Sequence, residues 1–553
     1  MRMLRKTLII NVSVFALLVL AGCTTKYYTR SADKEAYKII AEKTQMVTNM
    51  DTKFTIKTNP PPELSDCKIN DKVDEALGPE ADIEKGAYVI TLDKALELAV
   101  KHSREYQAQK ESLYLRALSL SLARHNMPPL FPRQRLKNQE VHAGVDNLTD
   151  TKKFNTGGSA TFESLLWTGG KIVTDFSMNF SRFLKGDPQS LLSSTMGATL
   201  TQPLLRGAGY KIAVETLTQA ERDFLYSVRD FTQYRKDFAI QIATTYYGIL
   251  QSRDSMRNVY HAFLNQRTNT EREAAFVEEG FHAQSELDML KSSELNNESG
   301  WVRSINSYKN SLDRFKITLG LPLSFKIILD DDELTKLQII HPDITVDQAI
   351  KIAETSRLDL HTQQEQVEDA ERKLKIAVNN MLPNLDFTGS VYVPDKPGNK
   401  TLPDFKNPQW DANVNLSVPL DKKADRNTLR SAQILLDQVR RNYELKLDNV
   451  RLGIIDDLRA LDQAKRTYEI NQVSVNVSER RVEQQNLLSE LGRTTARDVV
   501  DAQDSLTSAK NALTGSIISH TLARLQFYSD MGILMINDNG KWEEITNADN
   551  KQN

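Results

Sequence analysis

The chain has 553 residues, 40% of them apolar and only 7% aromatic, with 71 Lys+Arg against 73 Asp+Glu and a formal charge of −2. Near-neutrality leaves no basic footprint for nucleic acid, and so few aromatics argue against one large compact core. Amphipathic helices sharing narrow seams fit better, and a repeat would override any domain count taken from length.

Residues 1–22 read as a lipoprotein signal peptide. Arg2, Arg5 and Lys6 give a positive start, Leu8 to Leu20 an apolar stretch too short for a comfortable span, and Leu20-Ala21-Gly22 a small-residue cleavage site. Cys23 follows. Leu-Ala-Gly-Cys resembles the bacterial lipoprotein signal, which implies cleavage before Cys23 and acylation of its thiol and new amino group, palmitate included. Thr24, rather than Asp, resembles the pattern sent on to the outer membrane. An ordinary export signal before a chance cysteine is the alternative. Several acyl chains, at about 0.8 kcal/mol per buried CH₂, would anchor the chain firmly in outer-membrane lipid. Residues 1–22 hold three Lys+Arg and no Asp+Glu, so their removal takes the charge from −2 to −5. The only other cysteine is Cys67, so two unmodified cysteines are not available for an internal disulfide.

Residues 23–90 form a polar, lipid-anchored extension with a short helix near Asp33 to Val47 and an extended Pro60-Pro61-Pro62. It reads either as a strap on the main body or as a disordered tether.

Two copies of one plan follow, residues 91–340 and 341–536. Thr91-Leu-Asp-Lys-Ala-Leu-Glu-Leu-Ala99 opens the first and Thr345-Val-Asp-Gln-Ala-Ile-Lys-Ile-Ala353 the second, each a capped helix start with an acid in its first turn. Each helix is expected to run to a proline, Pro128 or Pro383. The period then changes to two. Trp410, Ala412, Val414, Leu416 and Val418 alternate with Asp411, Asn413, Asn415 and Ser417. Leu385, Phe387, Gly389, Val391 and Val393 share another face, and Phe176, Met178 and Phe180 alternate with Asp175, Ser177, Asn179 and Ser181. Such alternation over about ten residues marks a transmembrane barrel strand, although a half-buried strand of a soluble sheet shows it too. The lipoprotein signal and flanking helices favour the membrane. The strand region of the first copy is about 42 residues larger, with a Trp167-Thr-Gly-Gly170 turn, and could hold longer strands, an extra hairpin or a loop.

Pro203 and Pro419 close the strand regions. Lys211 to Glu279 and Asp425 to Leu491 then predict proline-free helices of about 100 Å, far beyond a bilayer of roughly 30 Å and too charged to lie in one. Phe224, Val228, Phe231, Phe238, Ile242 and Ile249, and Val439, Tyr443, Val450, Ile454 and Leu461, keep the spacing of a coiled-coil seam. Each helix turns back at a tip. The first is Phe276-Val-Glu-Glu-Gly280 with Gln284-Ser-Glu-Leu-Asp288. The second is Gly492-Arg-Thr-Thr-Ala-Arg-Asp-Val-Val-Asp-Ala502. Gly280 and Gly492 lie 212 positions apart, as do Gly320 and Gly532 at the ends of the returning arms. Residues 537–553 read as a polar, loose tail.

With lipobox, doubled helix-strand-strand-helix-tip-helix units and these tips, Thr91 to Leu534 resembles the TolC-like outer-membrane efflux duct family. The second tip carries the most specific part of the match. The resemblance implies an α+β membrane protein with long coiled-coil helices and short transmembrane strands. Three copies would form a homotrimer, each giving four strands to one barrel and its helices to a periplasmic tunnel. It also implies a periplasmic adaptor and an inner-membrane transporter as partners. Asp498 and Asp501 match the family's gate aspartates, and Glu286 sits where the first tip carries an acid. Gly280, Gly492, Arg493 and Thr494 are the expected adaptor-docking tips. The enlarged first strand region departs from the pattern, and Ser489 stands where some members carry tyrosine. Nine carboxylates on a three-fold axis would repel, raise one another's pKa and attract cations; acids that merely complement a helix dipole are the plainer reading.

No catalytic, metal-ligating or cofactor residue is expected. Gly169-Gly170-Lys171 precedes Ile172 rather than Ser or Thr, and no His-Glu-x-x-His occurs among the eight histidines. The rival reading is a non-channel α-helical structural lipoprotein of the cell envelope.

Overall fold

A computed structural model describes residues 25–543, apart from residues 52, 59, 63, 128–134, 148–151, 186–189, 394–404, 406–407 and 492. Cys23, the signal peptide, Gly492 and residues 544–553 lie outside the described residues. The chain divides into two compact units. One takes the chain up to Ile39, Arg116–Ser227 and Thr362–Glu444; the other takes Ile40–Leu115, Val228–His361 and the chain from Leu445.

In chain order the extension holds α1 (Thr25–Thr44) and β1 (Tyr88–Ile90), and there follow α2 (Leu92–His102), α3 (Arg104–Asn126), β2 (Arg135–Asn147), β3 (Lys152–Leu165), β4 (Lys171–Lys185), β5 (Ser190–Pro203), α4 (Tyr210–Ala213), α5 (Glu215–Glu278) and α6 (Gln284–Thr318). Then come β6 (Ile327–Leu329), α7 (Asp332–Thr335), α8 (Val346–Ser356), α9 (Leu358–Asn380), β7 (Asn384–Val393), β8 (Gln409–Ser417), α10 (Lys423–Glu490) and α11 (Ala496–Asp530).

The opening helices start as their sequences require. The Thr91 hydroxyl accepts from the Lys94 amide, and Thr345 with Gln348 closes a reciprocal capping box. They do not run unbroken to the prolines. Each stops after eleven residues, at Ser103 and Arg357, where ψ swings to 129° and 120° before a second helix begins. The reason lies far away in sequence. Gly320 and Gly532, which end the returning arms α6 and α11, press on His102 and Ser356; a β-carbon on Gly320 would stand 2.1 Å from the His102 carbonyl oxygen. No proline or glycine marks these breaks, because tertiary contact sets them.

The long helices α5 and α10 have 64 and 68 residues, about 96 and 102 Å at roughly 1.5 Å per residue. Helix α5 begins at Glu215 rather than Lys211, since Gly207 and Gly209 take positive φ after Pro203 and leave only the short α4 before it. Phe224, Val228, Phe231, Phe238, Ile242 and Ile249 are buried, as are Val450, Ile454 and Leu461, while Val439 and Tyr443 are half-buried.

Six of the strands form one antiparallel sheet in the order β2-β3-β4-β5-β7-β8, while β1 and β6 pair in parallel as a separate two-stranded sheet. The first copy gives four strands and the second two, so the additional residues make a whole hairpin, β2–β3, and the four strands per chain implied by the resemblance become six. Register carries one face across the sheet. Ala143 and Val145 of β2 pair with Thr156 and Phe154, Ala160 and Phe162 of β3 with Phe176 and Thr174, and Phe176 and Ile172 of β4 with Met196 and Leu200. Met196 and Leu200 pair with Val393 and Gly389 of β7, whose Val391, Phe387 and Leu385 pair with Trp410, Val414 and Leu416 of β8. The opposite face is mainly polar, with Val173 an exception; Ser177 is hydrogen-bonded to Thr195, Lys171 paired with Glu163 at 2.8 Å, and Ser390 bonded to Asp411.

In the other unit the extension is packed as a strap. Thr232 donates to Met50 Sδ, Arg235 to the Asn49 carbonyl, Gln107 to that of Ile56 and Trp301 Nε1 to that of Ala76, while Phe54 meets Phe231 edge-on. The first residues of the expected loose tail are ordered too. Ile536 bridges to Trp542, Lys541 pairs with Asp93 at 2.7 Å, and Gly540 packs on Leu96 and Val100.

The end of α11 carries a pH-sensitive cluster. Asp530 accepts from Arg357, which also pairs with Asp359, and the carboxyl of Asp457 lies beside Asp530. Burial first, and then the Asp530 charge, push Asp457 up to about 7, against the pull of Arg357. A raised carboxyl keeps its proton in the folded state where the unfolded chain has lost it, so its contribution to stability declines from pH 4 to pH 7 and is flat above. Asp457→Asn is therefore expected to raise stability by about 1 kcal/mol at pH 8, after allowance for solvent screening, and by almost nothing at pH 4. Thermal unfolding at both pH values checks this; an equal gain at both would contradict it.

Candidate functional site at the helical tips

Both tips form where a long helix reverses. At the end of α5 the Phe281 amide donates to the Phe276 carbonyl at 2.9 Å and the Gly280 amide to that of Val277 at 3.0 Å, with Gly280 at φ +78°. These bonds are a Schellman motif, and glycine fits the left-handed position without a Cβ penalty. At the second tip the Arg493 amide donates to the Leu488 carbonyl at 2.9 Å, the same span 212 positions on.

Glu286 and Asp498 occupy equivalent positions, each the third residue of its helix. What precedes them differs. Thr495 caps α11, its hydroxyl accepting from the Asp498 amide and donating to Asp498 Oδ2 at 2.6 Å, while the Thr495 amide donates to the same oxygen at 3.2 Å. Hydrogen bonds from the Thr495 side chain and then its backbone, aided by Thr494, hold the exposed Asp498 carboxyl below the usual carboxylate range. In the single chain the helix cap thus sets this group, in the direction opposite to like-charge crowding.

Ala283, at the cap of α6, has no hydroxyl to offer. The Glu286 carboxylate lies 3.9 Å from His282 Nδ1, whose nearer partner is Glu273 at 2.7 Å, a side chain only 7% exposed. Phe276 packs on the His282 ring. The ligand atoms of Glu273, His282 and Glu286 lie within 4.8 Å of one another, so the trio has the donors to hold a divalent cation; as it stands, the His282–Glu273 pair fastens the tip to α5. Sequence spacing did not disclose this group, because only the turn at Gly280 brings its members together.

Asp501 is exposed one turn beyond Asp498, its carboxylate 4.0 Å from Arg497. Asp504, one further turn on, was not singled out from sequence. Burial, then the Asp501 charge, pushes its carboxyl up. The three-residue spacing of 498, 501 and 504 was the signal available. Among the described residues no hydrogen bond or ion pair joins Glu286 to Asp498 or Asp501, so one chain holds these acids at separate tips. Arg493 is exposed and Thr494 donates to Gln485 Oε1 at 2.7 Å. Arg272 reaches Glu490 at 3.4 Å, linking α5 to α10 near their ends.

No family model matches the sequence, and no curated protein matches it. Solved structures do. The CmeC outer membrane channel of Campylobacter jejuni superposes with a TM-score of 0.57 at 15% identity, over 89% of this chain and 97% of that one. CusC, described in terms of folding and transmembrane channel formation, gives 0.59 at 13%, over 80% and 92%. The outer membrane protein VceC of Vibrio cholerae gives 0.57 at 14%, over 80% and 96%. The chain has the fold of outer-membrane channels.

Proposed function

We propose, starting from a fold shared with TolC-like outer-membrane efflux ducts, that this protein is the outer-membrane channel of a tripartite efflux or type I secretion system. Its trimer would receive substrates from an inner-membrane transporter and a periplasmic adaptor and pass them through the outer membrane. The observation that carries this reading is the sheet whose ladder keeps one mainly apolar face in register across six strands, with a mainly polar face opposite. A structural lipoprotein without a pore would turn Trp410, Val414 and Leu416, each at least 60% exposed, toward water for no gain. In a barrel they meet lipid while Asp411, Asn413 and Asn415 line water.

The helices support trimer formation. Leu445, Leu452, Ile470, Val473 and Val477 of α10 are exposed at steps of 7, 18, 3 and 4 residues, close to whole helical turns, and so lie along one side. Two further copies would cover such a stripe. Cys23 would carry the lipid anchor. Gly280, Gly492, Arg493 and Thr494 at the two tips would present the docking surface to the adaptor's helices.

In the assembly, Glu286, Asp498 and Asp501 from three copies would form the acidic periplasmic gate. The test is single-channel recording in planar bilayers of the purified trimer and of Asp498→Ala combined with Asp501→Ala. Conductance is expected to rise, and block by divalent cations to weaken by about tenfold, equivalent to about 1.4 kcal/mol of binding. Unchanged conductance and unchanged block would remove the gate assignment, and a purified protein that conducts no ions would remove the channel.

A further inference from the structure

The geometry points to an eighteen-stranded barrel, in which each of three copies brings six strands and β8 of one copy pairs with β2 of the next. This rests on the trimeric channel just proposed. Three observations carry it. First, the β2–β3 hairpin belongs to the same two-faced sheet as the other strands. Val145, Phe154, Ala160 and Phe162 share the apolar face with Phe176, Met196 and Trp410, whereas His142, Asn155 and Thr161 share the polar one with Asp175 and Ser177.

Second, the turn between β3 and β4 is fixed at the junction where strands give way to helices. The Gly209 amide donates to the Thr168 carbonyl at 3.0 Å, Gln202 Nε2 donates to the same oxygen, and the Thr168 hydroxyl donates to Gln202 Oε1 at 2.7 Å. At the same junction the Leu204 amide donates to the Leu385 carbonyl and the Gly207 amide to Asn379 Oδ1. The additional hairpin therefore begins and ends at the level of the other strands. Strands of 13 and 14 residues exceed the roughly 9 to 11 needed for a tilted span.

Third, the sheet is open, with β2 and β8 as its edges among the described residues. An edge inside a bilayer leaves backbone groups without partners at several kcal/mol each, so it must be covered. Six antiparallel strands are an even number, so β2 and β8 run in opposite directions, and the two edges of neighbouring copies meet antiparallel. The contact is head-to-tail and closes by rotation. A twelve-stranded ring would instead need β4 at the edge, breaking the ladder from Phe154↔Arg182 to Leu165↔Lys171. At strand spacing of about 4.8 Å and tilt of about 40°, eighteen strands give a radius of about 18 Å against about 12 Å for twelve. The mouth is one and a half times wider, which suits bulky cargo.

Disulfide trapping in outer membranes decides between these closures. In a Cys67→Ser background, Ala143→Cys on β2 is combined in turn with Ala412→Cys, Val414→Cys and Leu416→Cys on β8, all on the apolar face. A second series replaces Ala143→Cys by Met178→Cys on β4. Directly opposed residues of antiparallel strands come within disulfide reach. At least one β2–β8 pair is expected to shift the chain to two- and three-fold mass on non-reducing gels, and no β4–β8 pair to do so. Links from β4 alone would overturn the proposal in favour of twelve strands. Links from neither series in a protein that sediments as a trimer would overturn the edge pairing and leave the channel standing; the same result with a monomer would overturn both.

Discussion

Gly320→Ala is expected to destabilise the protein by about 3 kcal/mol or more, and Gly280→Ala by only about 1 kcal/mol. Both glycines end a helix at positive φ, +74° and +78°. A methyl group at Gly280 would meet nothing within 4 Å, so only the backbone conformation resists it. At Gly320 it would lie 2.1 Å from the His102 carbonyl oxygen and 2.6 Å from its carbon, and backbone cannot swing aside as a side chain can. The arm would have to move off the break between α2 and α3. Gly532, which stands against Ser356 in the second copy, is predicted to behave like Gly320. Thermal unfolding of the three alanine variants measures the contrast, and equal losses at Gly280 and Gly320 would show that the close approach is not the cause.

Arg253→Met should cost about 3 to 5 kcal/mol, the range for removing one partner of a buried ion pair. Arg253 is 3% exposed on α5, where it meets Glu84 at 2.6 Å, Asp331 at 3.2 Å and Asp74 at 3.3 Å. It binds the strap to the body. Glu84 also accepts from Tyr308, and Arg257 bridges Asp74 and Asp331 nearby. Burial raises the Glu84 carboxyl above its ordinary range even with Arg253 present and Tyr308 bonded. Without the guanidinium it rises further. A carboxyl raised in the folded state loses stability as pH climbs from its unfolded value through its folded one, so the variant's deficit should be smaller at pH 5 than at pH 8. Adding Glu84→Gln to Arg253→Met should recover most of the loss. Denaturant unfolding at the two pH values supplies the comparison, and a deficit independent of pH and of Glu84 would refute the account.

Much of this architecture was legible because it is written twice. Offsets of 254 at Thr91 and Thr345, and of 212 at Gly280 and Gly492, locate the opening helices and the tips from the sequence alone. Strands β4, β7 and β8 showed in their alternation. The β2–β3 hairpin did not, because β3 places Thr156 and Gly158 among the apolar positions and its period is weak on its own. Only the ladder to β4 reveals its faces. The helix breaks at Ser103 and Arg357 were hidden for another reason, since each answers a glycine more than 170 residues away. At the tips the acids were visible and their settings were not. One hydroxyl, present at Thr495 and missing at Ala283, commits Asp498 to a cap and leaves Glu286 to His282.

The stripe of Leu445, Leu452, Ile470, Val473 and Val477 has a bearing on biogenesis. In the trimeric channel proposed above, a newly exported monomer would carry this apolar ridge on a helix of 68 residues across an aqueous compartment before other copies cover it. Hydrophobic surface left open in this way invites aggregation, so in that assembly the chain would gain from rapid encounter with other copies. If the proposed trimer forms, stability becomes a property of the amount made: dilute expression should yield protease-sensitive monomers, and the resistant form should accumulate only above a threshold density.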